Sequence, residues 1–437
     1  MTSKNQSTKV QIRVLTPAIF LAVLSFANPA AAFNGYFASG IGVRAKAMAG
    51  ASTAMIGDAF AGANNPAASL FSGNVYEIGL QYTHSHQSAS RTGNGTGPYP
   101  NTDMTVSGTR TTYTPEFGYN EVLSADASRG ISFYRNGMIR SGYDNNSFFE
   151  RLVDDVNLTR HPDTLRFSLT QDVIAPVFAW RVGNESSFGV APLFVVQNLK
   201  INGLKSFIEN DWSKYTDNVT DRGSEQSYGV GVRLGWLTRP DERLMLGMSY
   251  SPKIQMSRFE DYKGLFAGNA RFNVPENYAI GVSYALNPNT ILAIDYQKIR
   301  YSKVKLLSNS ASLLLDSNIE FGEENGPGLG WRDVEVWKLG YEWRYSQKLT
   351  FRFGLSLNNS PIDQSDVSQG VIMPGITTSE RSIGGTYRFD NRNSVSVFMS
   401  WASGPEINGV STIVSSGARE IVDTRTHSAG IQFSRQF

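Results

Sequence analysis

The sequence predicts an all-β protein, a transmembrane antiparallel β-barrel of about fourteen strands. From Asn74 onwards, apolar and polar residues alternate in segments of roughly ten residues or more, which is long enough to cross a bilayer at a tilt. Trp and Tyr end many of the apolar faces, as expected where a strand meets lipid headgroups. A secretory signal precedes these segments.

The tenth predicted strand shows the alternation clearly. Trp337, Leu339 and Tyr341 fall on one face, and Lys338 and Glu342 fall on the other. A soluble sandwich also alternates, because it hides its apolar face against a second sheet, whereas a membrane barrel turns that face to lipid. Segment length, aromatic ends and the signal favour the barrel. Strands are predicted at 74–86, 110–120, 128–139, 165–183, 186–200, 226–238, 242–258, 272–287, 289–303, 331–346, 348–360, 378–390, 394–403 and 424–437.

Short and long connections alternate along the chain. The short ones carry turn residues, as at 183–185 and 287–289. Short turns on one rim and long loops on the other are typical of bacterial outer-membrane barrels, whose short turns are periplasmic, and this arrangement requires an even number of strands. Long loops are predicted at 87–109, 140–164, 201–225, 259–271, 304–330, 361–377 and 404–423.

Residues 1–32 are predicted to be a secretory signal peptide. Lys4, Lys9 and Arg13 precede a 13-residue apolar run, which is too short for a membrane anchor, and an A-x-A cleavage site places the mature start at Phe33. The signal holds three of the 40 Lys and Arg and none of the 38 Asp and Glu, so the mature chain carries a net charge of −1. Nucleic acid is therefore not expected as a partner.

The segment from Phe33 to Leu70 is rich in Gly and Ala and follows neither a helical nor a strand period. Such a segment packs closely in a confined space but cannot build a core of its own. A flexible linker is the alternative, although a linker would hold more Ser and Pro and fewer Met, Phe and Ile.

An ordered run in this segment consists of Gly40, Gly42, Arg44, Ala45, Lys46, Met48, Gly50, Ala51, Asp58 and Asn65-Pro66-Ala67. This run, here called the hatch run, resembles the N-terminal hatch of the outer-membrane hydrophobic-compound transporters, the long-chain fatty-acid transporter family (FadL/TodX-like, OMPP1). Residues 328–340 and 373–376 resemble further elements of the family, so the similarity covers most of 33–437.

The resemblance implies a monomer with a signal peptide (1–32), a hatch that plugs the lumen (33–72) and a barrel (73–437). It implies a passive channel for hydrophobic small molecules such as long-chain fatty acids or aromatic and aliphatic hydrocarbons. The ligand would reach a pocket at the hatch, where Phe33, Tyr36 and Phe37 are the expected contacts. The hatch would then shift, and the ligand would leave sideways through the wall into outer-membrane lipid, beneath the lipopolysaccharide. No cofactor is expected.

A lateral exit needs adjacent strands that fail to pair. The third predicted strand is the weakest candidate for continuous pairing, because Asn136-Gly137 favours positive φ and hence a bulge or turn. The family also has an inward kink in its third strand. Asn136-Gly137 could equally lie at the outer rim and start the loop at 140–164.

Several charged residues fall on predicted lumen faces, where they could meet a substrate carboxylate or pair with each other and with the hatch. Arg44 and Lys46 of the hatch are expected to pair with Asp295 or Glu342. The inward set is Arg233, Asp295, Lys338, Glu342, Arg344, Arg352 and Arg388.

The sequence offers little for catalysis or metal binding. It has no Cys and only four His. His84 and His86 share a strand face, but no third ligand accompanies them, so no metal site is predicted. A Ser/His/acid site would need one of the four His, and His427, the one deep in a strand, falls on the lipid side. The protein is therefore not expected to be an enzyme.

Two other functions stay open at this point. A general or solute-specific porin would have an open aqueous pore and no N-terminal hatch, and an adhesive surface barrel would act through its loops. The chain ends in Phe437, with Phe433, Ile431 and Ala429 on the same face, and this ending resembles the signal read by the outer-membrane assembly machinery. Arg435 departs from that pattern.

Overall fold

A closed antiparallel barrel forms the wall of the protein. The computed structural model describes residues 34–93, 103–143, 164–411 and 417–437. Fourteen strands follow one another around the ring in chain order, and the last pairs with the first. Their bounds are β1 Val75–Thr92, β2 Met104–Ser124, β3 Ala127–Gly142, β4 Arg166–Val182, β5 Ser186–Asn202, β6 Glu225–Thr238, β7 Leu244–Ser251, β8 Asn277–Asn287, β9 Thr290–Ile299, β10 Val334–Arg344, β11 Leu349–Asn358, β12 Ser379–Arg388, β13 Asn393–Ser403 and β15 Arg419–Gln436.

The predicted fourteen strands are confirmed, and one short strand is added. β14 (Ile407–Val410) pairs with the extracellular end of β15, beside the ring, in a stretch predicted to be a loop. β7 ends at Ser251, seven residues earlier than predicted. Pro252 follows, and a proline has no N–H to donate to a ladder.

Alternation sorts the side chains of each strand between lipid and lumen. Ile78, Val230 and Trp337 are among the large apolar residues exposed on the outer face. Glu116, Asp295 and many Ser and Thr are buried on the inner face. This is the inverse of a soluble β-protein and is the pattern that lipid on the outside requires.

Helical turns lie before β1 and in the extracellular connections. Among the described residues, no helix is long and apolar enough to cross a membrane. The α-helical turns are Val43–Lys46, Ala61–Asn64, Ser206–Glu209, Ala267–Ala270, Lys305–Ser308, Leu313–Ser317 and Val367–Ile372. The 3-10 turns are Pro66–Phe71, Thr216–Asn218, Glu260–Tyr262, Tyr301–Lys303 and Gln364–Asp366.

Residues 34–72, here called the N-terminal segment, lie inside the barrel. Most of them are buried although the segment has almost no regular structure. Glycines on the inner wall allow the close approach: a Cβ at Gly189 would overlap the backbone of Pro66 and Ala67, and one at Gly247 would overlap that of Thr53. Small residues on both partners therefore let the segment fill the lumen.

Candidate transport site

The body of the N-terminal segment, residues 43–65, is held by charged side chains of the inner wall. Arg44 lies 3.6 Å from a carboxylate oxygen of Glu342, which also accepts a 2.8 Å hydrogen bond from Arg352. Lys46 pairs with Glu116 of β2. The expected pairing of Arg44 with Glu342 is therefore present, while Lys46 pairs with neither of its two predicted partners, because the segment's helical turn points it towards β2.

Asp295 of β9 binds the backbone in the middle of the body. Its Oδ2 accepts hydrogen bonds of 2.8 Å from the backbone N–H groups of both Ser52 and Thr53. Lys338, opposite Asp295 on β10, donates to the carbonyl of Ser39 at 2.7 Å. These lumen charges therefore satisfy backbone groups of the segment, which has few partners of its own.

Two of the seven predicted inward charges are not enclosed. Arg344 and Arg388 are exposed at the periplasmic ends of β10 and β12. Arg233 does face the lumen, where it donates to the carbonyl of Ala63.

The body ends at Asn65, and the 3-10 turn before β1 begins with Pro66 and Ala67. The Asn65 amide donates to the carbonyls of Thr53 at 2.8 Å and Trp236 at 3.1 Å. Its Oδ1 accepts from the Ala67 N–H at 3.2 Å and so caps the 3-10 turn that Pro66 begins. This part of the hatch run therefore fixes the segment to the wall.

The glycines of the hatch run serve backbone geometry. Gly42 has a φ of +84°, which non-glycine residues rarely adopt, and it precedes the turn that carries Arg44 and Lys46. A Cβ on Gly40 would crowd the Cα of Gly50. Both glycines thus allow the segment to fold back on itself.

The tip of the segment, residues 34–38, lies in a buried aromatic cluster. The ring of Tyr36 is 5.6 Å from Phe272, 5.7 Å from Tyr301 and 6.3 Å from Trp331, measured between centroids. Phe37 lies 6.1 Å from Tyr301. All five side chains are almost fully buried. Phe33, the third expected contact, lies outside the described residues.

The Tyr301 hydroxyl ties the tip to the extracellular connection after β9. It donates to the carbonyl of Asn34 and accepts from the N–H of Tyr36 at 3.3 Å. Burial raises the pKa of Tyr301, so the hydroxyl stays protonated and remains a donor.

The wall is interrupted beside the tip. Of the described residues of β2 and β3, only those from Phe117 and Phe133 to the periplasmic turn pair with each other. The strands meet again at the top, where a Cβ on Gly108 would overlap the carbonyl of Gly142. We call the interval between, residues 109–116 of β2 and 134–141 of β3, the wall gap.

Asn136 and Gly137 lie in the wall gap. The register of β3 against β4 shifts between Arg135 and Gly137, which makes Asn136 a bulge within the strand. Neither residue starts the following loop, because β3 continues to Gly142. Neither has positive φ either, so that part of the prediction is wrong: glycine is needed at 137 because a Cβ there would overlap the ring of Tyr36.

The tip supplies the hydrogen-bond partner that β2 does not. The N–H of Ala38 donates to the carbonyl of Asn136 at 2.9 Å, and the N–H of Met138 donates to the carbonyl of Tyr36 at 2.8 Å. A single bridge therefore pairs Phe37 with Gly137. The gap itself is spanned by side chains, since Arg140 donates to Thr112 at 3.1 Å.

Phe272, Tyr301 and Trp331 were not identified from the sequence as site residues. All three fell inside predicted strands, because the apolar alternation runs on beyond the true strand ends. In the structure they belong to extracellular connections. No group of three or more His, Cys, Asp or Glu side chains in metal-binding proximity occurs in the described ranges.

A closed antiparallel barrel with lipid-facing aromatic residues and an occupied lumen defines a class, the plugged β-barrels of the bacterial outer membrane. Residues 21–437 match the family described as outer membrane protein transport protein (OMPP1/FadL/TodX), and the chain belongs to that family. This is a family of transport proteins and not of enzymes. No curated protein matches the chain in sequence.

Solved structures share the fold at low sequence identity. A FadL homologue of Pseudomonas aeruginosa is 14% identical with a TM-score of 0.66, over 92% of this chain and 100% of that one. The toluene transporter TodX of P. putida is 16% identical with a TM-score of 0.66, over 92% and 99%. The toluene transporter TbuX of Ralstonia pickettii is 17% identical with a TM-score of 0.59, over the same shares.

Proposed function

We propose that the protein is a passive outer-membrane channel for hydrophobic small molecules, such as long-chain fatty acids or aromatic and aliphatic hydrocarbons. Family membership and the toluene transporters of the same fold support this class of substrate. In this proposal residues 1–32 are a signal peptide, 33–72 are the hatch and 73–437 are the barrel, and the functional unit is a monomer.

The observation that carries the proposal is the meeting of the aromatic cluster and the wall gap at the tip. Tyr36 packs its ring against Tyr301 and Trp331 and pairs its backbone with β3. A hydrophobic ligand that takes the place of these ring contacts would act on the same few residues that cover the unpaired edge of β3. Ligand binding and opening of the wall are thereby linked through one short stretch of backbone.

Solvation favours sideways release of a hydrophobic ligand over passage through an aqueous lumen. A hydrophobic molecule gains no free energy by entering a water-filled pore, but it does by passing directly into lipid. Unpaired backbone in a membrane is tolerated only where protein or water covers it. Movement of the tip would uncover β3 between Tyr134 and Ser141 and make a lateral path available there.

A cross-linking experiment tests the exit. The natural chain has no cysteine, so a Thr112→Cys, Arg140→Cys pair can be bridged across the wall gap by a bifunctional methanethiosulfonate and released by reduction. We expect uptake of radiolabelled oleate or toluene by cells to fall on cross-linking and to recover on reduction, while binding to the purified protein persists.

The matched control is an Asn198→Cys, Gln226→Cys pair. These side chains are hydrogen-bonded at 3.0 Å between β5 and β6, which are already paired. Cross-linking there should leave uptake unchanged. Normal uptake with the Thr112–Arg140 bridge fully formed would exclude the wall gap as the exit.

A further inference from the structure

Three of the four histidines gather on the outer face of the barrel, where β1 meets β15. His84 and His427 are direct cross-strand partners. His86 is the partner of Arg425 in the next lipid-facing row towards the extracellular side. None of these side chains takes part in the lumen contacts described above, and His86, Arg425 and His427 are exposed. The transport proposal gives this cluster no role.

The cluster is held in place by its neighbours. Nδ1 of His84 is 3.0 Å from the Thr111 hydroxyl, and its ring is parallel to that of Tyr82 with centroids 6.4 Å apart. Nε of Arg425 lies 3.2 Å from Asp423. The patch thus holds three imidazoles, one guanidinium and the Asp423 carboxylate that pairs with it, and its imidazole and guanidinium N–H groups can donate to anions.

An apolar groove of about 760 Å³ lies directly below the cluster, on the lipid-facing side. Register fixes the relative heights: Tyr82, Ala429 and Met399 form one outward row, and His84, His427 and Trp401 form the next row towards the outside. Two residues of strand separate the rows, which is roughly 7 Å.

Large and small residues line the groove. They include the large apolar residues Leu80, Val397 and Ile431 and the small residues Ala429 and Gly430. Its volume is within the range of roughly 300–1,000 Å³ that ligand sites usually occupy. Hydrocarbon is the natural occupant of such a surface in a membrane.

The groove and the histidine cluster follow one another along β1 from the periplasmic to the extracellular side. β1 runs from the short-turn, periplasmic rim towards the long connection after Thr92, so the histidines lie on the extracellular side of the groove. In the outer leaflet of an outer membrane, acyl chains point inward and phosphorylated sugars point outward. The cluster therefore lies on the side of the groove that corresponds to the phosphorylated sugars.

We propose that His84, His86, His427 and Arg425 form a binding site for the phosphorylated headgroup of lipopolysaccharide, with one of its acyl chains in the groove below. Hydrogen-bond complementarity favours this occupant over a lipid without phosphate, because guanidinium and imidazole N–H groups donate to phosphate oxygens. The groove supplies the apolar contact that a free phosphate could not use.

The test measures retained lipid. Delipidated full-length protein is incubated with lipopolysaccharide of the shortest sugar length and analysed by native mass spectrometry. We expect one tightly held copy of lipopolysaccharide on the natural protein. In the triple variant His84→Ala, His427→Ala, Arg425→Ala we expect the affinity to fall about tenfold or more. Ala429→Phe, which fills the groove and keeps the cluster, should also weaken binding.

Controls separate this site from general lipid affinity. Asn198→Ala, Gln226→Ala replaces outward polar residues on the β5–β6 side and should bind like the natural protein. Dephosphorylated lipopolysaccharide should bind poorly. Heat-dependent gel mobility verifies that each variant is folded.

Several outcomes would overturn the proposal. These are unchanged binding in the triple variant, equal binding of dephosphorylated lipopolysaccharide, and equal binding of phosphatidylglycerol. A protein dimer dispersed by Ala429→Phe would assign the groove to a second copy of the chain instead. None of these results depends on substrate uptake.

Discussion

The tip and the body of the N-terminal segment occupy the same lumen but are held by different kinds of contact. The body is fixed by polar groups from several strands, including Glu116, Asp295 and Glu342. The tip is held by aromatic rings, by the Tyr301 hydroxyl and by two backbone hydrogen bonds to β3.

The difference suggests which part can move. A buried polar group that loses its partner costs about 1–3 kcal/mol, so the body is costly to displace. Apolar ring contacts can be exchanged for a hydrophobic ligand with little net loss, because they are not directional. In the proposed function the body is therefore the permanent barrier, and the tip is the part that responds to a ligand.

Removing the tip and the body of the N-terminal segment tests the barrier role and should have the largest effect. In a planar bilayer we expect little or no steady current through the natural protein, since the lumen is filled. Deletion of residues 34–65 should produce a large and stable conductance. A large stable conductance of the natural protein would contradict the plug and favour an open porin.

Asp295→Ala should weaken the body without removing it. The substitution leaves the buried N–H groups of Ser52 and Thr53 without their acceptor, at about 1–3 kcal/mol each. We expect transient openings in single-channel recordings, with an open fraction raised about tenfold or more.

Asp295→Asn is the matched control for this change. It keeps an oxygen that can accept both hydrogen bonds and removes only the charge opposite Lys338. It should stay close to the natural protein. Equal leakage from both variants would assign the effect to the charge and not to the two backbone contacts.

The wall was predictable from the sequence because its signal is local. A residue's face in a strand follows from its neighbours two positions away, so residues such as Trp337 and Lys338 reveal their orientation without knowledge of the partner strand. The same reasoning gave the inward position of Glu342, one of the two carboxylates expected to pair with Arg44 or Lys46.

The site was less predictable because its contacts join distant parts of the chain. Nothing near Lys46 indicates that Glu116 is its partner, and nothing near Gly137 indicates that the Tyr36 ring lies against it. Pairing lost between β2 and β3 is also invisible in either strand alone. Trp331 was misplaced for a related reason, since apolar alternation does not mark where a strand ends.

Tyr301→Phe tests the tip and should have the smallest effect. The change keeps the ring and removes the hydroxyl that binds Asn34 and Tyr36, a loss of about 1–2 kcal/mol. We expect the amide of Ala38, which donates to Asn136, to exchange its hydrogen about 5–30 times faster. Bilayer conductance should stay closed, because the body is untouched.

Tyr262→Phe provides the comparison for that experiment. Tyr262 is another buried tyrosine of the extracellular connections, and its hydroxyl accepts from the N–H of Ile201 at 3.1 Å without touching the tip. It should leave exchange at Ala38 unchanged. Faster exchange there in both variants would mean that the tip responds to general loosening of the loops, and leakage in Tyr301→Phe as large as in Asp295→Ala would mean that tip and body open as one unit.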